Sequence, residues 1–214
     1  MTVTTPQRRR SPWQTVVYLA RRAIGMELGV WLSLYRFIFR RPKVPAGAKG
    51  FTYHRPILSI MIVFIVLSAV EIPIVDLIVH QWLFVRIPFL ILGIWGLTFM
   101  IGFVLGFLTR PHAVGPEGIR VRNGAEVEIP ISWDDVYAVE PDKQVAESAK
   151  EPKVTPGEGG DTLHLRIQNE TNILITLERP TAIRLPHGPE TVREIRLYAD
   201  EPKQFMDEVR RHIG

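Results

Sequence analysis

Four ionisable residues stand out because they lie within or between two long apolar runs of the chain. Glu71 and Asp76 fall late in the first run, His80 lies in the connection, and Arg86 directly precedes the second run. Charged groups inside membrane segments are costly and often functional. This hairpin polar cluster permits a proton or cation relay, or an ion pair between Asp76 and Arg86. A turn centred near residue 81 places that pair at its rim, which favours the ion pair.

No other group of residues has the spacing of a catalytic centre. None of the six histidines pairs with another at metal-ligand spacing, and neither a glycine-rich phosphate loop nor a nucleophile elbow occurs. Asp134 and Asp135 follow Trp133 in a predicted turn, where aspartate commonly accepts hydrogen bonds from local backbone groups. The sequence therefore predicts a protein that is not an enzyme, with no metal and no cofactor.

The two apolar runs are Ile57–Val79 and Ile87–Thr109, each of 23 residues. As helices they would reach roughly 35 Å, enough to cross a hydrocarbon core of about 30 Å. Residues 57–110 are therefore predicted to form a two-helix transmembrane hairpin. Small residues in the second run indicate close helix packing. One helix face could pack against the first span and the other against a second copy in a homo-oligomer. These residues are Gly93, Gly96, Gly102 and Gly106.

The formal net charge of +4 hides a strong asymmetry along the chain. Residues 1–56 carry a net charge of +10, residues 57–110 are neutral, and residues 111–214 carry −6. Basic residues precede the first apolar run and follow the second, whereas the connection between the runs contains only Arg86 as a basic residue. The positive-inside rule then predicts a multi-pass membrane protein with both termini in the cytoplasm. No basic stripe with interleaved aromatic residues occurs in the C-terminal part, which excludes nucleic acid as a partner.

Residues 1–56 form a basic arm. Apolar residues recur at helical spacing over Trp13–Phe39, which predicts an amphipathic helix lying in the membrane interface. The alternative is a short third span over Ala23–Phe39, interrupted by Glu27 and Arg36. Prolines and glycines after this helix predict a linker to the hairpin. The arginines predicted to contact the anionic leaflet of the bilayer are Arg8, Arg9, Arg10, Arg21, Arg22, Arg36, Arg40 and Arg41.

After Thr109 the pattern changes to short strands followed by one amphipathic helix. This order predicts an α+β domain over residues 111–214, a bent barrel of about seven strands with the helix at one end. Asp200 is the predicted N-cap of the helix, and Pro141–Asp161 is predicted to be a connector without regular structure, with a partner-binding loop as the alternative. The predicted strands are Ala113–Asn123, Glu126–Ile131, Val136–Glu140, Thr162–Gln168, Asn172–Leu177, Thr181–Leu185 and Val192–Tyr198.

This order resembles bacterial PH-like domains. The residues that carry the resemblance are a first hairpin with Gly118-Ile119-Arg120-Val121, then Ile129-Pro130-Ile131-Ser132-Trp133-Asp134-Asp135-Val136, and Tyr198-Ala199-Asp200-Glu201-Pro202 at the start of the last helix. The whole chain resembles actinobacterial membrane proteins with two spans and a C-terminal PH-like domain.

The resemblance implies the fold and does not decide the function. We expect a membrane-anchored interaction or scaffold protein that presents its PH-like domain to an unidentified protein partner, because the charged residues of the hairpin lie together at its connecting end. One alternative is a subunit of an oligomeric transporter or channel that uses Glu71 and Asp76. Another is an anionic-lipid sensor, because lipid-binding PH domains hold phosphates with basic residues around the first hairpin. Arg120 and Arg122 stand there, but Glu126 and Glu128 follow at once.

Overall fold

The computed structural model describes residues 12–39, 43–124, 126–147, 152–157, 159–186 and 188–213. The described residues form helices and two β-sheets in the general α+β class. The elements in chain order are α1 Pro12–Ile38, β1 Lys49–Phe51, α2 Arg55–Val79, α3 Leu83–Leu108, β2 His112–Gly115, β3 Gly118–Asn123, β4 Val127–Ile131, a 3-10 turn Trp133–Asp135, β5 Val136–Val145, β6 Lys153–Thr155, β7 Thr162–Leu165, β8 Glu170–Leu185, β9 Gly188–Leu197 and α4 Pro202–Ile213.

Helices α2 and α3 form the predicted hairpin. They contain 25 and 26 residues, and both are long and apolar enough to cross a membrane. Their bounds differ from the predicted runs by a few residues, because the helices also take in Arg55, Pro56 and the residues around Arg86. Gly93 lets the two helices approach, since a Cβ there would lie 2.9 Å from Ile72 Cγ1 on α2.

Helix α1 packs against α3 and not against the first span. Val30 occupies the space that a Cβ on Gly102 would fill, and a Cβ on Gly106 would lie 3.5 Å from Ser33 Oγ. Successive contacts advance along both helices, so α1 and α3 run in the same direction. Gly93 therefore contacts α2, Gly102 and Gly106 contact α1, and a Cβ on Gly96 would meet nothing within 4 Å.

The general α+β class is confirmed, but the predicted bent barrel of about seven strands needs correction, because the described strands form two separate sheets that do not close into a barrel. One sheet has the order β1-β2-β3-β4 and the other β5-β8-β9-β7-β6, in which β7 and β9 are parallel. The 3-10 turn Trp133–Asp135 carries the chain from the first sheet to the second, and no hydrogen-bonded ladder joins β4 to β5 among the described strands. Predicted strand Ala113–Asn123 is the hairpin of β2 and β3.

Further strand predictions need correction in the second sheet. Asn172–Leu177 and Thr181–Leu185 are one strand, β8, with a register shift between Thr176 and Thr181. The predicted connector Pro141–Asp161 begins within β5, which continues to Val145, and it contains β6, which pairs with β7. The end of β5 and strand β6 are held by backbone hydrogen bonds at the two edges of the sheet, and they carry no apolar pattern that would have predicted them. Residues 148–151 and 158 lie outside the described residues.

One apolar core lies between the two sheets and α4. Ile119 and Val121 of the first sheet and Ile175 and Ile195 of the second are fully buried in it. Phe205 of α4 is also fully buried, as its place on the apolar face of the predicted helix indicated. Its ring meets Phe51 edge to face, with centroids 5.2 Å apart. Strand β1, which precedes the hairpin and lies in the predicted linker, therefore completes the core.

Candidate functional site

The start of α2 and the end of α3 meet the two sheets at a junction rich in buried polar groups. Asp200, in the corner between β9 and α4, has no exposed side-chain surface. Its carboxylate accepts hydrogen bonds from the backbone N–H groups of His54, at 3.2 Å, and Arg55, at 3.1 Å. The first N–H groups of a helix have no partner inside the helix, and a carboxylate there also interacts favourably with the helix dipole. Asp200 thus caps α2.

The predicted role of Asp200 as the N-cap of α4 needs correction. Helix α4 begins at Pro202, so its N-cap position falls on Glu201, and the Asp200 carboxylate turns to α2. Two more contacts join the same corner to the start of α2: the Asp200 N–H donates to Thr52 O at 2.8 Å, and Arg55 forms an ion pair with Glu201 at 3.1 Å. The corner is therefore fixed to the hairpin by backbone and side chain together.

Arg122 joins the end of α3 to the first sheet. Its side chain is 2% exposed. One guanidinium nitrogen donates to Pro111 O at 2.9 Å and also to Lys43 O, and the other donates to Glu128 Oε1 at 3.0 Å. A buried arginine is stable only when its charge and its donors have partners. Arg122 therefore links β3, β4, the segment after α1 and the segment after α3.

His112 and Tyr53 fill the apolar side of this junction. His112 Nδ1 accepts from the Arg122 backbone N–H at 3.0 Å, so Nε2 carries the proton and donates to Tyr198 O at 3.0 Å. The imidazole stacks on Tyr53 with ring centroids 4.4 Å apart. Burial, reinforced by the charge of Arg122, lowers the pKa of His112 to about 4 against the partial opposition of the Tyr198 hydrogen bond. His112 is therefore neutral near pH 7.

Tyr53 reaches from the ring stack to the turn between β3 and β4. Its hydroxyl accepts a hydrogen bond from the Gly124 N–H at 3.0 Å, and its ring meets Phe107 of α3 edge to face. Burial raises the pKa of the Tyr53 hydroxyl well above its usual value. A protonated, buried tyrosine thus connects the end of α3 to the first sheet.

The arginines of the first hairpin are both paired with acids. Arg120 forms an ion pair with Glu117 at 2.9 Å and lies 3.8 Å from Glu128, while Glu128 also binds Arg122 and Lys43. Burial alone would raise the pKa of Glu128, but hydrogen bonds from Lys43 and Arg122 outweigh it and hold the pKa below its usual value. Glu128 therefore carries its charge, and the positions at which a PH domain would bind phosphate are neutralised within the chain.

The hairpin polar cluster contains the ion pair predicted from the spacing. Arg86 Nε and Nη2 donate to the two oxygens of Asp76 at 2.6 and 2.9 Å. His80 Nδ1 donates to Leu77 O at 2.7 Å. Glu71 lines a cavity of about 520 Å³ between α2 and α3 together with Asp76 and Arg86. Among the described residues no cation pairs with Glu71.

Glu27 of α1 binds two indoles, a contact that sequence reasoning missed. Trp31 Nε1 and Trp95 Nε1 both donate to Glu27 Oε1 at 3.1 Å. Trp95 lies midway along α3, so α1 stands beside this helix and does not merely touch its end. The spacing of Glu27 and Trp31 on one helix face pointed to the first contact, but nothing in the sequence indicated the second.

The arginines predicted to contact lipid are described only in part. The structure places Arg21 and Arg36 on α1. The side chain of Arg22 and the residues Arg8, Arg9, Arg10, Arg40 and Arg41 lie outside the described residues.

Within the described ranges, no group of three or more histidine, aspartate or glutamate side chains is arranged to hold a metal ion. Comparison of the chain with protein-family models, with curated proteins and with solved structures gives no match.

Proposed function

We propose that the chain is a membrane-anchored scaffold that presents a PH-like domain at the cytoplasmic face of a bacterial plasma membrane. The observation that carries this proposal is the junction itself. Asp200 caps the start of α2, and Arg122 binds the segment that follows α3. A domain fixed in this way to two candidate membrane helices holds one orientation relative to the bilayer, which is the property that a scaffold needs.

The PH-like assignment rests on the order of elements and on the packing. Two antiparallel-rich sheets enclose one core, and a single C-terminal helix contributes three buried apolar side chains to it. Because β1 comes from the segment before α2 and pairs with β2, the domain that we propose includes this strand as well as residues 111–214.

A protein partner is favoured over a lipid headgroup for this domain. Arg120 and Arg122 are bound to carboxylates, and residues 111–214 carry a net charge of −6, which an anionic leaflet repels. Two large apolar side chains of edge strand β5 are well exposed, Tyr137 at 68% and Val145 at 71%. We assign partner binding to this exposed surface of β5.

The alternative of a transporter or channel subunit uses Glu71 and Asp76. The bidentate contact with Arg86 neutralises Asp76, so this carboxylate is not available to a cation or a proton. Glu71 alone would then have to carry the cargo past the apolar inner halves of both helices. The ion pair therefore supports the scaffold over the transporter.

Topology is the first requirement of the proposal. A reporter fused at Gly214 should report the cytoplasm, and a reporter inserted at Gln81 should report the outside. The predicted interfacial helix places Met1 in the cytoplasm as well, whereas the parallel contact of α1 with α3 as far as Trp95 favours the alternative of a third span. A reporter at Gly214 that faces the outside would overturn the proposal. A reporter at Met1 that faces the outside would instead make α1 a third span, with its direction parallel to α3.

Partner binding is tested by photo-crosslinking in native membranes. A photoreactive amino acid at Tyr137 should give a discrete adduct of the full chain, and Val145→Asp should remove that adduct without lowering the amount of protein. The same amino acid at Lys153, which is exposed on β6 at the opposite edge of the same sheet, is the matched control. Equal adducts from both positions, or none from either, would count against a partner on β5.

A further inference from the structure

Arg36 and Arg110 lie just beyond the contact of Ser33 on α1 with Gly106 on α3. Arg36 follows Ser33 by three residues within α1, so the two share a helix face. Arg110 follows Gly106 by four residues and comes directly after Thr109, the last capping residue of α3. The backbone also joins the two helix ends, since the Lys43 N–H donates to Thr109 O at 2.8 Å. Two guanidinium groups are thus brought to the same end of the α1–α3 contact.

Neither guanidinium has an acidic partner within the described part of the chain. No carboxylate there lies within ion-pair distance of Arg36 or Arg110, and the buried Nε of Arg110 has no hydrogen-bond partner. Burial lowers the pKa of Arg110, and the positive charge of Arg36 lowers it further, against the partial opposition of Tyr53 and Glu128. Two positive charges held near each other without an ion pair favour an anion that bridges them.

A mostly apolar cavity of about 270 Å³ begins at the same contact. Helices α1 and α3 form two of its walls, and the turn between β3 and β4 closes it on the side of the sheets. Arg36 and Arg110 do not line the cavity themselves; they follow its lining residues Ser33 and Gly106 by three and four positions. The lining of this junction cavity includes Val30 and Ser33 of α1, Gly102 and Gly106 of α3, and Gly124 and Glu126 of the turn.

We propose that Arg36 and Arg110 bind the phosphate of one anionic phospholipid of the cytoplasmic leaflet, with an acyl chain in the junction cavity. The cavity is smaller than the usual range of about 300–1,000 Å³ for small-molecule sites, so it admits part of a chain and not a whole drug-sized ligand. The ends of the candidate spans set the depth of this site in the bilayer, because the site lies where the apolar helices end and the polar domain begins. This assignment rests on the membrane placement of the proposed function and names one of its partners.

The test uses the purified full chain in mild detergent, titrated with dihexanoyl phosphatidylglycerol, with bound lipid counted by native mass spectrometry. We expect one lipid to bind the wild-type chain before any other. The variant R36Q/R110Q should weaken this first event about 30-fold, since each basic residue near a membrane surface contributes about a factor of five. The variant R36K/R110K should keep most of the affinity, because it keeps both charges.

The matched charge control is R179Q/R211Q, which removes two exposed, acid-paired arginines far from the cavity and should bind lipid as the wild type does. Dihexanoyl phosphatidylcholine should bind more weakly than phosphatidylglycerol, and glycerol phosphate should not compete at equal concentration. Unchanged affinity in R36Q/R110Q, equal affinity for phosphatidylcholine, or equal competition by glycerol phosphate would each overturn the lipid site.

Failure of this site can be told apart from failure of the proposed function. R36Q/R110Q should keep the unfolding midpoint of the wild type, the cytoplasmic reporter at Gly214 and the Tyr137 adduct. If the variant keeps these and also keeps its lipid, the scaffold stands and the lipid site is wrong.

Discussion

Two pairs of arginines lie at the same junction and differ in almost every physical respect. Arg120 and Arg122, on β3, meet Glu117 and Glu128, and Arg122 is nearly inaccessible to solvent. Arg36 and Arg110, near the ends of α1 and α3, form no ion pair with a carboxylate among the described residues. The charges of the first pair are paired within the chain, although the Nε of Arg122 has no hydrogen-bond partner, whereas the second pair leaves charge for something outside the chain.

The difference teaches that the position of an arginine in a family pattern does not define its role. The resemblance to PH-like domains would assign phosphate binding to the hairpin arginines, yet their acidic neighbours make them structural. The helix-end arginines belong to no such pattern, yet they follow residues that line an apolar cavity next to the candidate membrane helices. The neighbouring acids, and not the basic residues, distinguish the two pairs.

Among the variants that test this comparison, Arg122→Gln should have the largest effect on the free energy of unfolding. The change removes a buried charge from its contact with Glu128, which keeps Lys43, and takes a donor from two backbone carbonyls. We therefore expect a loss of about 3 kcal/mol in the free energy of unfolding. Urea unfolding of the full chain, followed by tryptophan fluorescence that includes Trp133 of the α+β part, measures it. The control Arg120→Gln should lose less than about 1 kcal/mol, because its partner Glu117 is exposed. Equal losses would refute the contrast within the pair.

The second effect is a dependence of stability on pH that comes from His112, beside Arg122. The pKa is about 4 in the folded chain and 6.5 ordinarily, so between these values the unfolded chain binds more protons. Stability should therefore fall as pH drops from 6.5 to 4 and change little further below, by roughly 3 kcal/mol for this group. His112→Gln should flatten part of the slope. The pKa of His164 is lowered in the same direction and accounts for a remainder. An unchanged slope in His112→Gln would contradict the assignment.

A smaller effect is expected at Asp200, whose charge is paired with backbone rather than with an arginine. Asp200→Ala removes the cap of α2 and should cost about 1–2 kcal/mol. Asp200→Asn should cost less, since asparagine also caps helices, and the difference between the variants measures the value of the charge. Thermal unfolding of the full chain is the measurement, and an Asn variant as unstable as the Ala variant would show that the charge, not the hydrogen bond, matters.

The smallest effect on stability belongs to the helix-end pair. In lipid-free detergent, R36Q/R110Q should change the free energy of unfolding by less than about 0.5 kcal/mol, because no buried partner is lost. Removing two unpaired like charges should even raise the stability slightly. A loss as large as that of Arg122→Gln would mean that these arginines are structural too, and the comparison between the pairs would fail.

Sequence reasoning worked where a pattern repeats along one element. The apolar runs predicted α2 and α3 within a few residues, the spacing around residue 81 predicted the contact of Asp76 with Arg86, and the apolar face of α4 predicted the burial of Phe205. In each case the partner lies close in sequence, or the periodicity of one helix decides the burial.

Sequence reasoning failed where the partner is distant. Strand β1 has three residues and its ladder partner is β2, on the far side of the hairpin, so no local pattern marks it. Strand β6 is equally short. The capping of α2 by Asp200 joins residues 145 positions apart, and the local rule assigned this carboxylate to the nearer helix. Arg36 and Arg110 come together through the packing of α1 on α3, a tertiary contact that no local pattern predicts.

The cap of α2 also sets an order of events during biosynthesis. At about 5–20 residues per second, Asp200 is synthesised roughly 7–29 s after Arg55, from which it is 145 positions distant. Helix α2, a candidate membrane helix, is therefore synthesised well before its cap, and its first N–H groups have other partners until then. Only when Asp200 has left the ribosome can the corner between β9 and α4 bind to this helix. Docking of this corner is thus a late step of folding, and it joins the sheets to a helix made much earlier.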